Sequence, residues 1–142
     1  MPTESRPRRS MLYMPGSNPR ALEKARGLAA DALIFDLEDA VSPDAKESSR
    51  GIIADAVAAG GYGQRELILR TNGLDTAWGH GDLAAAAKMA IHGVLLPKVE
   101  SAATVRQAAA ILDRAGAPAD LAIWCMMETP MGMLHAEEIA AS

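Results

Sequence analysis

The stretch ALIFDLEDAVSP, Ala32 to Pro43, carries the pattern on which the chain is built. Ala32 to Leu37 is a near-continuous apolar run, broken only by Asp36, and such runs read as strands buried on both faces of a parallel sheet. Glu38 and Asp39 follow at once, and Ser42-Pro43 then offers a helix cap with proline in the first turn. A strand, a polar end and a capped helix make up the repeating unit of a sheet covered by helices.

The unit recurs in both directions from there. Ser10 to Met14 reads as a strand closed by Pro15-Gly16-Ser17, and Asn18-Pro19 starts a helix with Leu22, Ala25, Leu28 and Ala29 on one face. Ile52, Ile53, Ala56 and Val57 mark the helix after Ser42-Pro43, and Gly60-Gly61 ends it. Glu66 to Arg70 is a third strand, followed by an Ala-rich helix over Gly81 to His92 with Gly93 as its stop. Val94 to Leu96 is a fourth strand, after which Ser101 caps a helix carrying Val105, Ala108, Ile111 and Leu112. Leu121 to Met127 is the fifth strand, and Met131 to Ser142 begins a fifth helix. The fold class is α/β, with right-handed crossovers between parallel strands. Two architectures satisfy it: an open doubly wound sheet, or a little over half of a (β/α)8 barrel, which typically takes about 250 residues.

With 142 residues, 49% of them hydrophobic and 23% charged, the chain has the composition of one globular domain. A formal net charge of −4 and only five aromatic residues argue against a nucleic-acid partner. The polar start, with Arg6, Arg8 and Arg9 around Pro7, lacks the apolar core of a secretory signal, and residues 1–9 read as a disordered lead. No apolar run approaches the roughly 18 residues of a membrane span. The single cysteine, Cys125, lies in an apolar run and reads as core packing, and a cytoplasmic setting is expected.

In parallel α/β folds the ligand site lies at the carboxyl ends of the strands. Tyr13, then Asp36, Glu38 and Asp39, then Arg70 and Asn72, then Lys98 and Glu100, and finally Glu128 stand at those ends. The strand period puts Asp36 and Glu38 on one face about 7 Å apart, where they repel unless cations or donors hold them. Asp36 and Asp39 could equally cap neighbouring loops. Arg70 has a planar fork suited to a substrate carboxylate, or it pairs with Glu38 or Asp39. Lys98 reads as a partner for an acid. His80, His92 and His135 show no metal-ligand spacing, and His92 could favour a helix dipole. Glu128, in AIWCMMETPMG, ends an apolar run and needs a compensating cation or donors if it is not solvated.

At these residues the sequence resembles the citrate lyase β-subunit-like members of the HpcH/HpaI aldolase superfamily, through RSMLYMPGS (Arg9 to Ser17), FDLEDAV (Phe35 to Val41), LRTN (Leu69 to Asn72), LLPKVES (Leu95 to Ser101) and METPMG (Met127 to Gly132). The resemblance implies a (β/α)8 barrel that cleaves a carbon–carbon bond next to a coenzyme A thioester with Mg²⁺, on citryl-CoA, malyl-CoA or a related ester, giving a keto acid. It implies that Arg70 binds the substrate, that Glu128 is a metal ligand lying against it, that Glu38 and Asp39 lie in the site, and that Arg9 and Tyr13 lie near the thioester. The second metal ligand of the family, an Asp on the next strand, falls beyond Ser142. The expectation is therefore a single incomplete barrel domain over residues 1–142, inactive alone, with sheet edges that favour association and a full-length form that is a homo-oligomer. A malyl-CoA thioesterase, a class II pyruvate aldolase and a non-catalytic half-barrel are the alternatives.

Overall fold

The computed structural model describes residues 6–142. Five strands, β1 (Met11–Pro15), β2 (Ala32–Asp36), β3 (Glu66–Arg70), β4 (Gly93–Leu96) and β5 (Ala122–Cys125), form one sheet. Their spatial order is their chain order, and every neighbouring pair is parallel. A doubly wound sheet reverses its winding at a switch point, and this sheet never does, so the strands progress in one direction as in a barrel wall. Between them run α1 (Pro19–Ala25), α2 (Lys46–Ala59), α3 (Gly79–Ala86) and α4 (Ala102–Arg114), with α5 (Pro130–Leu134) and α6 (Ala136–Ala140) after β5.

Alternation along the strands divides the apolar residues between two faces. Leu33, Phe35, Leu67, Leu69, Val94 and Leu96 pack with Leu22, Ile53, Val57, Leu83, Ile111, Leu112 and Ile139 of the helices in the main core. Phe35 is fully buried there, with the Tyr62 ring edge-on at 5.5 Å. Ile34, Ile68 and Leu95 face the other way and meet Trp124 and Met126, forming the smaller inner layer. Glu66, two residues before Ile68, lies on that inner face as well, and Arg8 grips it with Nε at 2.7 Å and Nη2 at 2.9 Å. The Arg8 guanidinium also lies 4.9 Å from the Trp124 ring centre. Part of the lead read as disordered, residues 1–5, lies outside the described residues, whereas Arg8 and Arg9 make ion pairs with Glu66 and Asp31.

Local structure departs from the sequence reading at helix ends. The Asn18 and Ser101 side chains cap α1 and α4 by accepting from Ala21 N–H and Thr104 N–H. Ser42 does not cap in this way; its hydroxyl donates to Asp44 at 2.6 Å, and the helix opens through one 3-10 turn over Pro43–Ala45. The Ala-rich helix lies at Gly79–Ala86 and not at Gly81 to His92. Tertiary contact outweighs propensity here, because the chain must reach β4 in extended form: Met89 and Ile91 are buried, and His92 N–H already bonds Leu67 O in the sheet. The last helix is two short ones, broken at His135, whose Nδ1 lies 2.8 Å from Glu100 O. Gly16 permits the close approach of the β1–α1 turn to β2, since a Cβ there would sit 2.7 Å from Asp36 O.

Phe35→Ala removes a fully buried core ring, and a loss of about 3–5 kcal/mol is expected in chemical denaturation.

Candidate active site

Parallel pairing of β2 and β3 sets Asp36 directly beside Arg70 at the carboxyl ends of the strands. Both are buried. Arg70 donates from Nε at 2.7 Å and from Nη2 at 2.6 Å to the two Asp36 oxygens, a bidentate pair. The fork that could have taken a substrate carboxylate is thus turned on Asp36. What Arg70 keeps for the rim is its outer edge, where Nη1 lies 3.0 Å from Glu38 Oε2 and 3.9 Å from Asp39 Oδ2. The hydrogen-bonded Asp36 carboxylate raises the Arg70 pKa and keeps the guanidinium charged. Asp36 also accepts from Glu38 N–H at 2.8 Å and Ala40 N–H at 3.1 Å, so it both caps the loop and holds the arginine.

Glu38 is the hub of the outer layer. Its Oε1 accepts from the Lys98 ammonium, which raises the Lys98 pKa. Its Oε2 is within ion-pair distance of Arg70 but lacks hydrogen-bond alignment, leaving a buried acceptor unfilled among the described residues. Lys98 adopts a left-handed backbone, φ 48°, at a cost of roughly 1 kcal/mol for a residue with a Cβ. In that conformation its N–H donates to Glu128 Oε1 at 2.9 Å. One lysine therefore links the acids of β2 and β5, by its side chain and by its backbone. Tyr13 presents its ring face to the Arg70 guanidinium at 5.0 Å, and burial pushes its hydroxyl pKa up.

A second ring of polar residues supports the first, and the sequence reading missed most of it. Asn72 donates to Leu37 O at 3.0 Å and to Asp82 at 2.7 Å. Asp82, fully buried, accepts from Arg50 Nε at 2.7 Å and from Asn72 N–H at 2.8 Å. Lys46 is buried and donates to Leu37 O at 2.9 Å and Glu38 O at 2.7 Å. A signal existed for Lys46, since a cation in the first turn of a helix opposes the dipole and implies another partner. Asp82 and Arg50 offered none, because they meet only through the fold.

The structure therefore brings Tyr13, Glu38, Asp39, Arg70, Lys98 and Glu128 to one rim. Arg9 stands apart, at the amino ends of the strands, with its guanidinium on Asp31 at 2.9 Å. His92 does not serve a helix terminus; its Nδ1 accepts from Leu67 N–H at 2.9 Å, and burial lowers its pKa. Cys125 is half-buried against the core, which pushes its thiol pKa up. Among the described residues no group of three or more His, Cys, Asp or Glu is placed to hold a metal ion. Glu128 is exposed, and beyond the Lys98 N–H its carboxylate takes no hydrogen bond among the described residues. Hard carboxylate oxygens of this kind fit Mg²⁺, which accepts one or two protein carboxylates and completes its shell with water and substrate oxygens.

Residues 9–142 match the model of the HpcH/HpaI aldolase/citrate lyase family. The chain belongs to the HpcH/HpaI aldolase/citrate lyase family. A (3S)-malyl-CoA thioesterase of Cereibacter sphaeroides is 50% identical to it over 141 residues, which is 99% of this chain and 47% of that protein. An L-malyl-CoA/beta-methylmalyl-CoA lyase of the same organism is 37% identical over 145 residues, 97% of this chain and 46% of the lyase. Among solved structures, a citrate lyase beta subunit from M. tuberculosis, complexed with oxaloacetate and magnesium, superposes with a TM-score of 0.75 at 34% identity and covers 94% of this chain and 55% of its own. This HpcH/HpaI family chain spans about half the length of the curated relatives it matches. No helix among its described residues is long and apolar enough to cross a membrane.

Asp36→Ala leaves the Arg70 guanidinium buried without its main partner, and denaturation should register a loss of about 3–5 kcal/mol. The Arg9 guanidinium holds the Asp31 carboxyl down at about 2, below its usual range near 4. A depressed acid contributes to folding above its unfolded pKa and loses that contribution as pH falls through the folded one, here between about 4 and 2. An NMR titration should place the Asp31 midpoint near 2 and return it toward 4 in Arg9→Ala.

Proposed function

We propose that this rim acts on a coenzyme A thioester of a hydroxy-dicarboxylic acid of the malyl-CoA class, and that the reaction is hydrolysis of the thioester. The observation that carries the reading is the constellation of Arg70, Glu38, Lys98 and Glu128 on one rim, in a chain half identical to a (3S)-malyl-CoA thioesterase. In hydrolysis, water adds to the thioester carbonyl, the C–S bond breaks, and the thiolate leaves and takes a proton, giving malate and CoA.

Each group has a part suited to its setting. The outward edge of Arg70 binds a substrate carboxylate or carbonyl oxygen, and the Asp36 grip keeps that edge aimed at the rim. Lys98 adds a second positive charge against the anionic ester. Glu38 and Asp39 are the carboxylates at which a proton from water or a hydroxyl is held, Asp39 on the exposed side of the rim and Glu38 behind it against Arg70. Glu128 would hold Mg²⁺. When bound, the ion supplies Lewis-acid polarisation of a substrate oxygen. Tyr13 bounds the site on the β1 side.

Carbon–carbon cleavage is the second reading, favoured by the similarity to the malyl-CoA lyase and to the oxaloacetate-bound beta subunit. It starts from the same ester: the hydroxyl loses its proton, the bond to the acetyl-CoA carbon breaks, and that carbon is protonated. The products separate the two. With malyl-CoA and Mg²⁺, release of free CoA thiol and malate supports hydrolysis, acetyl-CoA with glyoxylate transfers the assignment to lyase chemistry, and turnover of neither kind removes both from this chain. Glu128→Gln should weaken Mg²⁺ binding by about tenfold or more in calorimetry while leaving the melting temperature within about 2 °C, as befits an exposed side chain.

A further inference from the structure

Among the described residues Lys46 is a buried ammonium with no carboxylate within ion-pair distance, an arrangement that ordinarily costs stability. Its position in the first turn of α2 adds a further penalty from the helix dipole. Its three hydrogens nonetheless have three acceptors: Leu37 O at 2.9 Å, Glu38 O at 2.7 Å and the face of the Trp78 ring, whose centre is 5.4 Å away. We propose that Lys46 is a positioning residue for Glu38, clamping the Leu37–Glu38 backbone so that the Glu38 carboxylate is presented to Arg70 and Lys98. The proposal rests on the reading of Glu38 as an acid of the site.

The backbone around Glu38 is saturated. Leu37 N–H donates to Arg70 O at 3.0 Å, Leu37 O accepts from both Lys46 and Asn72, Glu38 N–H donates to Asp36, and Glu38 O accepts from both Lys46 and Val41 N–H. Each carbonyl that Lys46 touches thus has a second donor. Neither is orphaned if the ammonium is removed, so the side chain is not required to satisfy buried carbonyls. What it adds is a single charge that ties two successive carbonyls to the start of α2, while the Glu38 carboxylate keeps one acceptor unfilled among the described residues. Catalytic groups held by such supports reach their working geometry before substrate arrives.

The deciding experiment is amide hydrogen exchange by NMR on the 142-residue chain and on Lys46→Met, which keeps the length and removes the charge. The Glu38 and Ala40 amides, both bonded to Asp36, should exchange about tenfold faster or more in the variant, the effect of losing a charge-assisted hydrogen bond nearby. The amides of Ile68 and Leu69 in β3 should exchange at the wild-type rate, and the wild-type Lys46 ammonium should give a slowly exchanging 15N resonance. Unchanged protection at Glu38 and Ala40 overturns the proposal, and so does equal acceleration in β3, which would make Lys46 a general stabiliser. Titration with oxaloacetate and Mg²⁺ tests the active-site reading separately: wild-type chain that binds neither removes that reading, while the exchange rates still decide what Lys46 does.

Discussion

The pairing of Arg70 with Asp36 is the constraint around which the rim is assembled. Neither charge could be buried alone, because an unpaired ion in a protein interior costs several kcal/mol. Parallel registry of β2 and β3 places them side by side without any loop being asked to do so. Once Nε and Nη2 are committed to Asp36, only the outer edge of the guanidinium is left, and Glu38 lies against it. Glu38 then draws in Lys98, and the left-handed turn of Lys98 delivers an N–H to Glu128. The chain of contacts runs outward from a buried pair, through the largely buried Glu38, to the exposed Lys98 and Glu128.

The strands were legible in the sequence because parallel strands covered on both faces leave near-unbroken apolar runs, and ELILR lies where it was read. The choice between open sheet and barrel wall was not legible from periodicity, because both use the same β/α unit; strand order decides it, and order is a long-range property. Helix ends were misread where tertiary contacts dominate, as at His92, which belongs to the approach to β4. At the rim, residue types and strand ends pointed to Glu38, Arg70, Lys98 and Glu128 as neighbours. They could not reveal that Arg70 would give its fork to Asp36, since that depends on which of three nearby acids is deepest. Asp82 and Arg50, 32 positions apart, were invisible for the same reason.

Family membership and rim chemistry bear on different questions. Family membership accounts for the wall of parallel strands. Hydrolysis and carbon–carbon cleavage call on the same anchored carboxylate and the same polarised carbonyl, and they part only in which atom is attacked and where the proton goes. The rim of this chain, with an anchored arginine edge and an exposed acid, is compatible with either outcome.

The bond from Leu67 N–H to His92 Nδ1 has a further consequence. An imidazole that accepts at Nδ1 must carry its hydrogen on Nε2, so the ring is confined to one tautomer. It cannot take a second proton without becoming a donor at both nitrogens and turning a hydrogen bond into a clash of two N–H groups. Protonation of that ring would therefore work against the join between the third and fourth strands, at the opposite end of the sheet from the rim.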